Sequence, residues 1–428
     1  MGAGAKGRFG VLGGGAMALA DAGTASVATF LASLIALRSL TDEELALYAL
    51  VFAAMTALMI APQYLAYIPQ RLHANRQQDL RRPQYRADAT TAAPYGALTA
   101  VGVFLAGAPM LGHLDGTEAY VAICGTAAVL SLLSPFQDHL RASLHVADRH
   151  GRAAGVSGLN LAVVAVVLVT VETVDGLPAW AVLAAPFGSL ALGNAVSIAA
   201  GYRWHRDVPQ VEERDRLPVA SQAMVASTGF ARHGAGYVAN LLVAALISPA
   251  ALAGLEAARV AAQPVLILGT GVASFMMPKA VRAIGAGRMR EARRRMGRLV
   301  AVVSSTGVVY ALLLLPFSGL VSLVLGRPVD APLASARAGA YSLSAAANPF
   351  NAYAMAERRY GLALTLTLTS ELVALGVLVA AIPAMGVFAV PLAGAVSAIL
   401  RIGLHAGYRW RAASRPESQE SQPTAASV

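Results

Sequence analysis

The sequence predicts an all-α polytopic membrane protein, with twelve transmembrane helices as two parallel six-helix repeats around a central cavity. Three observations carry this. The chain is 57% apolar and 13% charged, against about 25% charged in soluble domains, and apolar stretches long enough to span a bilayer recur throughout its 428 residues. Gly201-Tyr202-Arg203-Trp204 returns as Gly407-Tyr408-Arg409-Trp410, and each copy closes a long apolar half-chain. Positive charge gathers in alternate loops.

The spans follow in order. Phe9–Leu37 begins behind Lys6 and Arg8; its apolar stretch continues well past Ala18-Leu19-Ala20, which argues against a cleaved signal peptide. After Asp42, Glu43 and Glu44 comes Leu45–Ile68, ended by Pro69 and a loop with Arg71, Arg76, Arg81, Arg82 and Arg86. Further spans are expected at about 90–112, 118–137 (running on as helix towards Arg149), 153–171 and 178–203. The second half repeats the rhythm at about 219–246, 251–277, 299–325, 333–355, 361–382 and 387–408, with the basic loop Lys279–Arg298 after its second span. The divisions are therefore 1–204, a connector 205–218, 219–410 and a polar tail 411–428 of disordered composition.

Of the 33 Lys and Arg, setting aside Arg38, Arg327 and Arg337 in other loops and Arg232, Arg259 and Arg401 within spans leaves 27 on the side of the termini. That places both termini in the cytoplasm of a multi-pass protein of the cell membrane. It also explains the net charge of +10 as topology, with no nucleic-acid partner. Pro69 and Pro278 lie 209 residues apart, as do Ala147-Asp148-Arg149 and Ala356-Glu357-Arg358. Each half has an even number of spans, so the repeats are parallel.

Six plus six spans, a short connector, and Pro-led basic loops after spans two and eight resemble the multidrug/oligosaccharidyl-lipid/polysaccharide exporter superfamily, over about residues 9–410. Within it the chain is most similar to bacterial polysaccharide flippases, through the turn Ala356-Glu357-Arg358-Arg359-Tyr360-Gly361. The major facilitator fold is the rival, since Leu144–Arg152 looks like its loop signature; there the signature follows spans two and eight, and here it follows span four.

A charge at mid-bilayer costs about 2.5–3.5 kcal/mol or more, so each needs a partner or water. Glu256, Arg259 and Gln263 share one face of span eight; Gln222, His233, Tyr237 and Asn240 follow a stripe of span seven. The resemblance implies that spans one, two, seven and eight line the cavity, with Asp21 and Arg232 facing each other across it. The expected cargo is a lipid-linked oligosaccharide, its polyprenyl phosphate held by Arg232, Arg259, His233, Tyr237, Asn240 and Gln263. Coupling to H⁺ or Na⁺ falls to Asp21, Glu256 or Glu371. Arg401 and His405 are expected to snorkel to the inner interface. Membrane lipid and glycan-biosynthesis enzymes are the implied partners.

The alternative is an H⁺- or Na⁺-coupled multidrug or metabolite efflux antiporter. An enzyme is not expected: no Walker A motif, no metal-ligand spacing and no catalytic constellation is present, and no cofactor is implied.

Overall fold

The computed structural model describes residues 3–67, 85–146, 149–205, 219–286 and 288–413, and the described residues contain no strand. Among the described residues twelve long helices carry the fold: α1 (Ala3–Ser39), α2 (Asp42–Leu58), α3 (Tyr85–Ala106), α4 (Thr117–Val146), α5 (His150–Thr173) and α6 (Ala179–His205) in the first half. The second half holds α7 (Val219–Leu246), α8 (Pro249–Gly285), α9 (Met289–Leu314), α10 (Ala331–Ala356), α11 (Tyr360–Met385) and α12 (Ala389–Ala413). The connector after His205, the tail from residue 414, Pro69 and Asp148 lie outside the described residues.

The two halves repeat one packing plan. α1 lies along α5 as α7 lies along α11; α4 packs on α6 and α5 on α6 as α10 and α11 pack on α12. The repeat reaches single hydrogen bonds. The Arg149 amide donates to the Leu144 carbonyl at 2.8 Å, and the Arg359 amide to the Ala354 carbonyl at 2.9 Å. The structural offset is therefore 210, and the partner of Arg149 is Arg359, not the Arg358 that the sequence alignment pairs with it. Arg358 instead takes the left-handed conformation at φ 60°, a strained local choice for a non-glycine residue.

Local sequence sets the helix ends. Thr41 caps α2: its amide donates to Glu44 Oε2 at 2.8 Å and its hydroxyl accepts from the Glu44 amide, a reciprocal capping box. Asp330 accepts from the Leu333 amide to cap α10. Beyond α2, Ile60–Pro62 leads into a π-helical turn, Gln63–Tyr67, at the proline that cannot continue the hydrogen-bond ladder. The single span expected over 299–325 is divided: α9 ends at Leu314, Pro316 follows, and a separate short helix covers Ser318–Leu325. That short helix ends at Gly326, φ 69°, where a side chain would be strained.

Nine stretches of the described residues are long and apolar enough to cross a membrane, the last of them covering both α11 and α12. α7 and α10 fall short of that standard; their Arg232, His233, Asn240, Arg337, Asn348 and Asn351 dilute the hydropathy. The apolar surface is turned outward, with Leu98 70% and Leu312 61% exposed, which suits acyl chains and not water. The chain is a multi-pass membrane protein.

The halves meet along α1 against α8, α2 against α7, and α2 against α8. One continuous buried core runs from Ala28–Leu37 and Leu45–Val51 into Val243 and Leu252–Val265. It joins the halves at the end of the bundle that carries the α1–α2 and α7–α8 turns.

Candidate functional site

Asp21 is 3% exposed and collects four hydrogen bonds from two other helices. Arg141 on α4 donates Nε to Oδ1 at 3.0 Å and Nη2 to Oδ2 at 2.8 Å. Ser157 on α5 donates to Oδ1 at 2.5 Å, and His145 Nε2 lies 2.8 Å from Oδ2. Arg141 also pairs with Asp138, which accepts from Gln63 Nε2 at 3.3 Å in the π-helical turn. A buried carboxylate held this way is stable only while its bidentate partner stays charged and in place. The cluster ties α1 to α4 and α5, with one thread to the end of α2.

At the seam, Glu256 and Arg259 share a turn of α8. Arg259 Nη2 reaches Glu256 Oε1 at 2.6 Å and Nε reaches Oε2 at 2.7 Å. The same Nη2 donates to Ser33 on α1 at 3.1 Å, and the guanidinium lies 4.6 Å from the Phe52 ring centroid on α2. Ser33 is 3.1 Å from the Tyr48 hydroxyl, and Tyr48 stacks on Phe187 with centroids 4.6 Å apart. Tyr237 and Asn240 on α7 donate to the carbonyls of Ala106 and Ala49 in the other half, at 3.1 and 3.2 Å.

The end with the α1–α2 turn carries a reciprocal clasp. Arg38 Nη2 donates to the Val324 carbonyl at 2.6 Å and Arg327 Nη2 to the Leu40 carbonyl at 2.7 Å, each into the opposite half. Arg38 also pairs with Glu172, and Arg327 with Asp42. Towards the terminal end Ile60–Tyr67 packs against α7, while Met17 and Val27 on α1 and His233 on α7 are exposed.

In the second half Arg401 donates Nη2 to Glu371 Oε1 at 2.8 Å and to Ser397 Oγ at 3.0 Å. His405 Nε2 lies 3.1 Å from Asn351 Oδ1, and Asn351 Nδ2 donates to Thr367 at 3.1 Å.

No family model matches the chain, and none of the curated proteins does. Solved structures do. A MATE structure in the straight conformation matches with TM-score 0.69 at 14% identity, over 94% of this chain and 96% of that one. An inward-facing multidrug resistance MATE family transporter of the MOP superfamily gives TM-score 0.61 at 15% identity, over 91% and 94%. An outward-facing one gives TM-score 0.65 at 14% identity, over 94% and 95%. The chain has a MATE-like fold. Facing-in and facing-out structures match it about equally, so the state of the seam is read from this chain's own contacts.

Within the MATE-like fold, the residues singled out from sequence separate into three groups. Asp21 does not face Arg232; its counter-charge is Arg141, on α4 of its own half. Glu256 and Arg259 neutralise each other between the halves, beside Tyr237 and Asn240, which bond across the seam; Gln263 is buried on the same helix with Oε1 unpartnered. Arg232 lies near Tyr64 of the first half and Glu371 of the second, and His233 near Arg401. The snorkelling expected of Arg401 and His405 does not occur: they are 2% and 4% exposed and bonded inward to Glu371 and Asn351.

Sequence reasoning missed Asp138, Arg141, His145 and Ser157. The signal was present: Asp138, Arg141 and His145 stand at i, i+3 and i+7, on one face of the helix that runs on past residue 137 towards Arg149. Arg38 and Arg327 had counted only as exceptions to the charge rule. Their clasp is the reason those two arginines sit at that end.

Proposed function

We propose that the chain is a cell-membrane exporter working by alternating access, coupled to H⁺ or Na⁺, with an amphipathic drug or metabolite as cargo. The observation that carries this reading is the asymmetric seam. Arg38, Arg327 and the Ala28–Val51 core fasten the halves at one end, while towards the other Ile60–Tyr67 packs against α7 and α1 exposes Met17 and Val27. On the charge rule the terminal end faces the cytoplasm, which makes the clasp the outer closure. Two parallel halves rocking about their seam would expose the same hollow to the outside.

Asp21 is the coupling candidate. A cation or proton that neutralises its carboxylate removes the partner of Arg141 and loosens α1 from α4 and α5. Glu371 bonds to Arg401 and Ser397, and Glu256 to Arg259, in place of this four-bond cluster, which ranks them below Asp21.

The lipid-linked oligosaccharide flippase is the second reading, with glycan-biosynthesis enzymes as its partners. One observation favours it: Arg232 makes no hydrogen bond or ion pair among the described residues, and a free guanidinium suits a phosphate.

Proteoliposomes loaded with a panel of cationic and anionic fluorescent amphiphiles separate the two. The exporter reading expects movement that rises at least tenfold under an imposed H⁺ or Na⁺ gradient. No gradient-driven movement of any amphiphile, together with rescue of a strain lacking a lipid-linked oligosaccharide flippase, would transfer the assignment to the second reading.

A further inference from the structure

The two halves are not chemically equivalent where they are structurally equivalent. At the offset of 210, Arg141 corresponds to Asn351 and Ser157 to Thr367, and those two bond each other at 3.1 Å. The first half thus encloses a carboxylate with its guanidinium; the second half puts an amide and a hydroxyl at those points and carries Arg232 and His233 on α7.

The Arg232 guanidinium is not alone. Arg401, on α12, lies within Coulombic range of it, and the acid both of them share is Glu371. Two arginines against one carboxylate leave an excess positive charge inside the helix bundle. The donors are in excess as well. Arg401 is 2% exposed, its Nη2 serves Glu371 and Ser397, and its Nε and Nη1 are buried without a partner. Those two atoms carry three N–H protons. Buried donors left unpaired are costly, and in a native structure they call for a bound water or ion to explain them. Arg232, half-buried and without a hydrogen bond or ion pair among the described residues, adds its own five donors. His233 beside it is exposed, and Tyr64 of the first half lies near Arg232.

We infer that Arg232 on α7 and Arg401 on α12 form an anion seat in the second half, taking one carboxylate or phosphate group, with Glu371 and Ser397 orienting Arg401 from the far side. A single monoanion brings the net charge of the two arginines and Glu371 to zero. Its oxygens accept from Arg401 Nε or Nη1 and from Arg232. The seat is separate from the Glu256–Arg259 pair at the seam. This deepens the export reading by giving the cargo an anionic group. Binding is read without transport, so either statement can fail while the other stands.

The full chain in uncharged detergent is titrated with inorganic phosphate or acetate at fixed ionic strength, and separately with phosphatidylglycerol in mixed micelles, while the thermal unfolding midpoint is followed. A saturable rise is expected in at least one arm. Response to phosphate or acetate identifies a free oxyanion as the occupant; response to phosphatidylglycerol alone identifies a lipid head group. Arg232→Gln and Arg401→Gln should each weaken the apparent Kd by about tenfold or more, as loss of a charge-assisted hydrogen bond predicts, whereas Arg290→Gln in the first turn of α9 should leave it unchanged. Arg232→Gln breaks no hydrogen bond, so it keeps the test decisive if Arg401→Gln fails to fold. No saturable shift in any arm, or an Arg232→Gln protein that binds as the native chain does, would overturn the seat.

Discussion

Asp21→Asn is expected to abolish gradient-driven export and to destabilise the first half by about 3–5 kcal/mol, the usual cost of removing one partner from a buried ion pair. Asparagine keeps the size but has one acceptor oxygen where Asp21 uses two, for four donors. Its NH₂ group would point at donors that have nothing else to bond. Arg141 would then keep only Asp138, whose side chain is 36% exposed and correspondingly well solvated. The drop is read as a lower thermal unfolding midpoint in detergent and as export at background under an H⁺ or Na⁺ gradient. Asp21→Asn with Arg141→Gln should recover much of the stability, because it withdraws the orphaned charge, and none of the coupling. Full export by Asp21→Asn would remove Asp21 from the coupling step.

Arg259→Ala is expected to be as costly, by a different route. It leaves Glu256, 3% exposed, without a counter-charge, removes the cation over Phe52 and takes the donor from Ser33. The penalty should again reach about 3–5 kcal/mol. Glu256→Gln with Arg259→Met should return most of it, since replacing a buried pair by neutral groups of similar volume is often close to neutral. The double variant also decides whether Glu256 couples ions. A stable protein that exports at the native rate makes the pair a structural clamp; a stable protein without gradient-driven export gives Glu256 a coupling role beside Asp21.

Helix number and repeat were legible because bilayer thickness imposes a length and the charge rule imposes an alternation. Both leave marks in a single sequence, and the fold followed from them. Partnerships left no such mark. Asp21 and Arg141 are 120 residues apart, and nothing in periodicity says that α4 and not α7 supplies the counter-charge. Arg401 and His405 illustrate the same limit: their distance from the inner interface allowed snorkelling, whereas Glu371 and Asn351, on neighbouring helices, hold them inward. The α9 break at Pro316 was a visible proline whose consequence, a separate short helix aiming Arg327 at Asp42, depends on tertiary packing.

On the export reading the two halves must part at the α1–α2 end for cargo to leave. Asp42→Cys and Arg327→Cys, on a Cys124→Ala background, place thiols on opposite halves at the native ion pair. A short reducible bis-methanethiosulfonate bridge between them should stop export completely, and a reductant should restore it. Export at the uncrosslinked rate with the bridge in place would contradict the account.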